Sequence, residues 1–231
     1  MDVIGHRGGA ALAPENTLAA IRAGLDSGAD GVEIDVRHTS DGVAVLLHDP
    51  DVARTTSGTG LVGDLSSEEA RALGIPTLDE ALDAVPADRT LIVEVKGTPW
   101  DPGHDPTEPA ARIVAATLAS GPPRRVVVSS FNPLALAVVR AISPQLRTAV
   151  LTSSAFDLAS NLAAAVAGAN EECHVPAEIL KPAFVQTAHD VGRRVIAWTV
   201  NDPETVLRCA EWGVDGVITD DPRMARDALG R

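Results

Sequence analysis

The chain has 231 residues, 45% of them hydrophobic, which is enough for one large core, and it carries a formal net charge of −13. That charge, together with three tryptophans, three phenylalanines and no tyrosine, argues against nucleic acid or an anionic membrane surface as partner. No window approaches the roughly 20 apolar residues of a membrane span, and "MDVIGHRGG" lacks the basic-then-apolar order of a signal peptide, so the expected compartment is the cytoplasm, with no stable membrane association.

Along the chain, short Val/Ile/Leu runs alternate with alanine-rich stretches of helical period. The pattern predicts strands at Val3–His6 and Gly31–Val36 with a helix at Thr17–Leu25 between them. A helix at Leu78–Ala84 follows, then a strand at Leu91–Val95, a helix at Ala110–Ala119 and a strand at Val126–Ser130. The second half reads as helix Pro133–Ala141, strand Thr148–Leu151, helix Ala155–Val166, strand Glu172–Val175, helix Pro182–Val191, strand Val195–Thr199, helix Pro203–Trp212, strand Asp215–Thr219 and helix Pro222–Leu229. Four of these helices begin on proline, which is well tolerated at the first helical position. Glu172–Val175 is the weakest strand, with little β-branched content. Eight strands alternating with eight helices make a single (β/α)8 TIM barrel domain over residues 1–231, a fold of typically ~250 residues.

One segment breaks the alternation. Val36 and Val43 are too close for a parallel crossover, and "TSDG" between them is turn chemistry, so Val43–Leu47 reads as a strand folding back in a β-hairpin. A turn centred on Ser40 and Asp41 sets His38 opposite Val43 and Glu33 opposite His48. Residues 49–76 form a short insertion before the helices resume.

In a strand, residues i and i+2 share a face. Glu33 and Asp35 therefore point together, as do Glu94 and Lys96 on the next barrel strand. Three carboxylates meeting at the carboxyl end of a barrel repel one another unless a cation intervenes, and a hard divalent ion, Mg²⁺ or Ca²⁺, suits oxygen ligands. The plainer alternative is an internal salt-bridge network with Lys96. His6 and Arg7 end the first strand among glycines, and the hairpin returns His48 to the same mouth. Two histidines beside a metal-bound anion supply the acid and base of a phosphodiester cleavage, with Arg7 and Lys96 as phosphate contacts.

Other candidates are weaker. In "PENT", Asn16 and Thr17 read as helix-start chemistry. Asp220 and Asp221 read as caps of the last helix. Trp198 and Phe131 end strands as core packing or pocket wall. His38 is expected to be solvated, His104 to sit in a loop and His189 on a helix surface, while His174 ends a strand at the functional face as a supporting residue. Cys173 and Cys209 have no metal-ligand spacing and read as free thiols.

These residues, in this order, resemble the glycerophosphodiester phosphodiesterase family. "HRGG" with "PENT", then "GVEIDV", "LLHD", "RTTSGTG", "LIVEVK", "SSFN", "AWTVND" and "GVDGVITD" match its pattern from residue 4 to about 222. The resemblance implies Glu33, Asp35 and Glu94 as ligands of Mg²⁺ or Ca²⁺, His6 and His48 as the acid/base pair, Arg7 and Lys96 at the phosphate, and Trp198 in the substrate pocket. It also implies hydrolysis of small glycerophosphodiesters to glycerol 3-phosphate and an alcohol. The rivals are a phospholipase D-like lyase acting on lysophospholipids, a non-catalytic phosphodiester-binding barrel, and a metal-dependent aldolase, which would give no reason for paired His6 and His48.

Overall fold

The computed structural model describes residues 1–97, 107–121, 124–154 and 158–231; His104 lies outside the described residues. In chain order the elements are β1 (Asp2–Gly5), α1 (Leu18–Asp26), β2 (Gly31–His38), β3 (Ala44–Leu46), α2 (Ser67–Ala72), α3 (Leu78–Ala84), β4 (Thr90–Val95), α4 (Thr107–Ser120) and β5 (Arg125–Ser130). They continue with α5 (Pro133–Ile142), β6 (Arg147–Leu151), α6 (Leu158–Ala167), β7 (Glu172–Pro176), α7 (Pro182–Asp190), β8 (Arg194–Trp198), α8 (Pro203–Glu211), β9 (Gly216–Thr219) and α9 (Pro222–Ala228). Eight parallel strands run in the order β1-β9-β8-β7-β6-β5-β4-β2, and pairing of Ile4 with Gly31 and Gly5 with Val32 closes them into the expected barrel. The antiparallel β3 lies along the far end of β2.

A barrel strand is buried on both faces, so its apolar pattern is nearly continuous. Outward residues such as Val32, Ile34, Val36, Val93 and Val217 pack under the helices, while Ile4, Ile92, Val127, Ala149, Ile196 and Ile218 fill the barrel interior with Trp198 against them. Local chemistry sets the helix starts. Thr17, Asn132, Asp202 and Asp221 cap α1, α5, α8 and α9 with their side chains, and proline occupies the first turn of α5, α7, α8 and α9. Even the weak strand at Glu172 forms, held between β6 and β8. Cys173 and Cys209 are buried free thiols. No helix among the described residues is long and apolar enough to cross a membrane.

The hairpin differs from expectation by one residue. Its register is Val36↔Leu46, Arg37↔Val45 and His38↔Ala44, so His38 does not face Val43 and Glu33 does not face His48. The cause is Gly42. It adopts φ +80°, which lengthens the connection from two residues to the three of Ser40–Gly42, flanked by a bonded Thr39–Val43 pair. The insertion is more ordered than its sequence suggests. Val45, Leu47, Val52, Val62, Ala70 and Ile75 make a small core of their own, and α2 begins on a Ser66/Glu69 capping box.

The turn His6–Gly8 after β1 is pressed against α1. A Cβ at Gly24 would lie 1.9 Å from the carbonyl oxygen of Gly8, and Gly8 itself has φ +92°. Gly24→Ala is therefore expected to destabilise by about 1–3 kcal/mol, the usual range for overpacking, and to weaken activity by moving the His6–Arg7 turn. Denaturant midpoints of the two proteins measure the first effect; equal midpoints would mean that the contact relaxes freely.

Candidate active site

Alternation along β2 turns Glu33 and Asp35 into the barrel, and β4 sets Glu94 directly opposite Asp35. All three are buried, and one carboxylate oxygen from each lies within 4.8 Å of the others. Lys96 Nζ is 2.7 Å from Glu94 Oε1 and 3.3 Å from Asp35 Oδ1, and Arg7 Nε is 3.2 Å from Asp35 Oδ2. The salt-bridge network is thus real, yet it leaves the triad short of positive charge, because Arg7 also pairs with Glu15 at 2.7 Å. Burial, and then Asp35, push the Glu33 carboxyl up to about 8, while the backbone N–H of Arg7 donates to it at 3.0 Å. Burial likewise raises Glu94 against the opposing pull of Lys96. Asp35 goes the other way: burial works against its charge, but Lys96, His48, Arg7 and a hydrogen bond from Asn16 outweigh it and lower its pKa. A buried set of three carboxylates with a deficit of counter-charge fits a hard divalent cation.

Asn16 corrects one expectation. Thr17 caps α1, but Asn16, at φ +55°, donates from Nδ2 to Asp35 Oδ2 at 2.8 Å and accepts from the Asp35 backbone N–H at 3.0 Å. Arg7 is also left-handed, at φ +49°. Two non-glycine residues in this sparsely populated conformation sit beside the acidic cluster, where such strain commonly concentrates.

His6 and His48 face the same cavity of about 180 Å³ as Arg7, Glu33, Asp35, Glu94 and Lys96. Each has a carboxylate on Nδ1: Asp220 at 2.6 Å for His6 and Asp49 at 2.7 Å for His48. Asp220 is therefore not a helix cap. Asn201 holds it from the other side, donating to Oδ2 and accepting its backbone N–H, while Asp221 alone caps α9. Burial alone would lower His6, but the Asp220 hydrogen bond and the charge of Glu33 outweigh it and raise its pKa. Burial and then Lys96 lower His48, against the pull of Asp35 and Asp49. His48 lies past the end of β3, and Arg37 Nε fixes its carbonyl at 2.9 Å. Asp49 is braced by Arg54, which also grips Glu15 through two hydrogen bonds of 2.7 and 2.9 Å.

Trp198 lines the cavity beside Phe131, their ring centroids 5.8 Å apart and nearly perpendicular, so both serve as wall. His174 is fully buried and also lines it. His38 is half-buried, bonded to the Thr39 carbonyl rather than solvated, and His189 pairs with Asp215 on the surface. A larger hollow of about 760 Å³ lies at the amino ends of the strands, lined by Arg124, Arg125, Arg147 and Arg194. It holds neither histidine nor the carboxylate triad, so size does not locate the chemistry here. A second groove, of about 450 Å³, adjoins the mouth between Glu15, His48 and Arg54–Thr56.

A model of the Glycerophosphoryl diester phosphodiesterase family matches residues 6–224. A glycerophosphodiester phosphodiesterase of Caldanaerobacter subterraneus subsp. tengcongensis is 32% identical over 236 residues, covering 95% of this chain and 94% of its own. Among solved structures, a phosphodiesterase of Oleispira antarctica in complex with the product sn-glycerol-3-phosphate aligns with a TM-score of 0.88 at 27% identity, over 100% of this chain and 97% of that one. A glycerophosphodiester phosphodiesterase of Thermotoga maritima aligns with a TM-score of 0.81 at 28% identity, over 96% of both chains.

The crowding at Glu33 has a measurable sign. Its folded pKa is raised from 4.5 to about 8, so the folded metal-free protein loses stability as pH rises through that window. Glu33→Gln keeps the acceptor for the Arg7 N–H and removes the loss. Thermal unfolding after chelation should show the variant more stable than the parent at pH 8 and not at pH 4.5, the gap widening as pH rises between those limits. Adding Mg²⁺ or Ca²⁺ should then raise the parent's Tm and leave the variant's unchanged. A parent insensitive to both ions would refute the cation site.

Proposed function

This chain belongs to the glycerophosphoryl diester phosphodiesterase family, and we propose that it hydrolyses glycerophosphocholine, glycerophosphoethanolamine and similar small diesters to glycerol 3-phosphate and an alcohol. It is a glycerophosphodiester phosphodiesterase enzyme; the substrates, the metal and the roles of individual residues are our assignment. One observation carries it: three buried carboxylates and two carboxylate-braced histidines converge on a single cavity of about 180 Å³. The same residues 1–231 act on this reading as one catalytic domain in the cytoplasm. The net charge of −13 favours a small diester over nucleic acid or an anionic membrane as partner.

In this assignment Glu33, Asp35 and Glu94 hold one Mg²⁺ or Ca²⁺, which when bound supplies Lewis-acid stabilisation of phosphate charge. Arg7 and Lys96 add fixed positive charge at the same place, and neither is free to swing away, since each is tied to a carboxylate. His6 and His48 move the protons. With Nδ1 of each ring engaged by Asp220 or Asp49, the Nε2 atoms are left for the substrate. The environments push the pair apart, His6 upward and His48 downward, which suits His48 as the base and His6 as the acid for the departing alcohol. The nucleophile is water, giving glycerol 3-phosphate in one displacement, or the substrate's own glycerol 2-hydroxyl, which gives a cyclic phosphate. Water must then open that ring to glycerol 3-phosphate, His6 now taking the water's proton and His48 returning one to the 2-oxygen. The variable alcohol is accommodated by the groove at Arg54–Thr56.

Release of glycerol 3-phosphate from glycerophosphocholine and glycerophosphoethanolamine should require Mg²⁺ or Ca²⁺, stop with EDTA and vanish in Glu33→Ala. His6→Ala and His48→Ala should each lose roughly 10²–10⁴-fold in turnover; near-normal rates would sink the acid/base roles. Turnover of lysophosphatidylcholine in preference to these diesters would support the lyase rival instead.

The rate should also be bell-shaped in pH, with its acid limb at His48 and its alkaline limb at His6. Because Asp220 raises the His6 pKa, Asp220→Asn should draw the alkaline limb to lower pH and leave the acid limb in place. Unmoved limbs in kcat/KM against pH would exclude Asp220 as the positioning residue for His6.

A further inference from the structure

Among the described residues lining the catalytic cavity Arg54 does not figure, yet its side chain reaches both of the segments that carry His48 and Arg7. Local chemistry fixes its backbone. Asp51 Oδ1 accepts the Ala53 N–H at 2.7 Å, and the Val52 carbonyl takes the Thr56 N–H at 3.1 Å and the Thr56 hydroxyl at 2.8 Å. Val52 is itself buried in the small core of the insertion, and its N–H donates to the Gly60 carbonyl at 3.0 Å. The tight turn 52–56 therefore presents Arg54 from a firm base.

The Arg54 side chain is half-exposed, and an exposed ion pair of ordinary geometry contributes little. This one is a network of forks. Nη1 donates to Glu15 Oε2 at 2.9 Å and Nη2 to Glu15 Oε1 at 2.7 Å, while Nε donates to Asp49 Oδ2. The other oxygen of Asp49, Oδ1, is left for His48 Nδ1 at 2.7 Å. At the far end Arg7 anchors Glu15 at 2.7 Å. Among the described residues no other hydrogen bond or ion pair joins the insertion, residues 49–76, to the turn and loop between β1 and α1.

We propose that Arg54 is a positioning residue that locks Asp49, and through it the His48 ring, to the frame of the turn carrying His6 and Arg7. This rests on the hydrolytic reading above and deepens it. The two histidines come from separate segments, β1 and the hairpin, and must address one phosphorus from fixed places. A lysine at position 54 would keep the charge and lose the fork. Asp49 would then be free to turn toward solvent, and His48 would lose the partner that sets its tautomer and orientation. Such misplacement costs rate more than binding.

Kinetics of glycerol 3-phosphate release from glycerophosphocholine, with Mg²⁺ or Ca²⁺ present, compare the wild type, Arg54→Lys, Asp49→Asn and the double variant. Arg54→Lys should lower kcat roughly tenfold to hundredfold and leave KM within about threefold. Asp49→Asn should cost at least as much. Adding Arg54→Lys to it should cost less than about twofold more, because both act on one ring. Nitrogen-15 spectra of histidine-labelled protein at about pH 8, where a histidine of ordinary pKa is neutral, give a readout apart from turnover. His48 should carry its proton on Nδ1 in the wild type and shift toward Nε2 in Arg54→Lys, with His6 unmoved. Arg54→Gln decides the matter should the lysine variant fold poorly. A kcat within about twofold of wild type, independent losses in the double variant, or an unmoved His48 tautomer would overturn the positioning role. A tautomer shift in a protein that turns over no diester would retain the role and refute the hydrolytic assignment.

Discussion

Asp35 is the point on which the site turns. Its two oxygens receive Asn16 at 2.8 Å, Arg7 at 3.2 Å and Lys96 at 3.3 Å, and Glu94 stands opposite it in the sheet. A fully buried carboxylate survives as an anion only when its lone pairs are filled and its charge is balanced. Meeting that condition brings residues from the turn after β1, from the loop before α1 and from just past β4 to one place. Arg7 and Asn16 accept left-handed backbone to reach it, a conformation that costs of order 1–3 kcal/mol per residue and persists only where surrounding contacts overdetermine it. The overdetermination is visible: the Arg7 N–H binds Glu33, the Arg7 carbonyl accepts the Asn16 N–H at 3.0 Å, and α1 lies hard against Gly8 behind them.

The carboxylates of the site divide into two kinds by their surroundings. Glu33, Asp35 and Glu94 are buried beneath the mouth, and two of them are pushed toward protonation by burial and by one another. Asp220 and Asp49 are more exposed, hydrogen-bonded to imidazoles and lowered by those and neighbouring contacts: first by His6 for Asp220, first by Arg54 for Asp49. The first kind suits a cation; the second fixes a ring and its tautomer. The two histidines differ in turn because the Asp220 hydrogen bond, and then the charge of Glu33, raise His6 against its burial, while burial and then Lys96 lower His48.

What is legible in the chain is what depends on short-range periodicity. Glu33 with Asp35, and Glu94 with Lys96, announce a shared face by their spacing, and proline and small polar residues mark the helix starts within a residue or two. The hairpin register escapes such a reading because Gly42 inserts one left-handed residue, a backbone choice that composition permits without demanding. The helix α2 escapes it too, although Ser66 and Glu69 carry the signature of its capping box. Asp220 is hidden for a different reason. It lies 214 residues from His6, and only barrel closure brings them within 2.6 Å. In sequence it stands next to a genuine cap, and nothing local tells the two aspartates apart. Asn16 is likewise masked by the true cap beside it.

The barrel interior explains why these charges can act as they do. Charged groups occupy both ends: the carboxylates and histidines at the mouth, and Glu172 with Arg147 and Arg194 toward the amino ends of the strands. Ile4, Ile92, Val127, Ala149, Ile196 and Ile218 fill the space between. That apolar layer keeps water from reaching the mouth from below, so the polar groups above it work against a low-dielectric floor, where each charge is felt more strongly than in water. Along β7 the inward positions are polar: Glu172 stands between Ala149 and Arg194, and His174 between Leu151 and Ile196. This polar step is satisfied within the barrel: Glu172 accepts from Arg147 at 2.6 Å and Arg194 at 3.0 Å and lies 3.0 Å from His174 Nε2, so its charge is balanced without water.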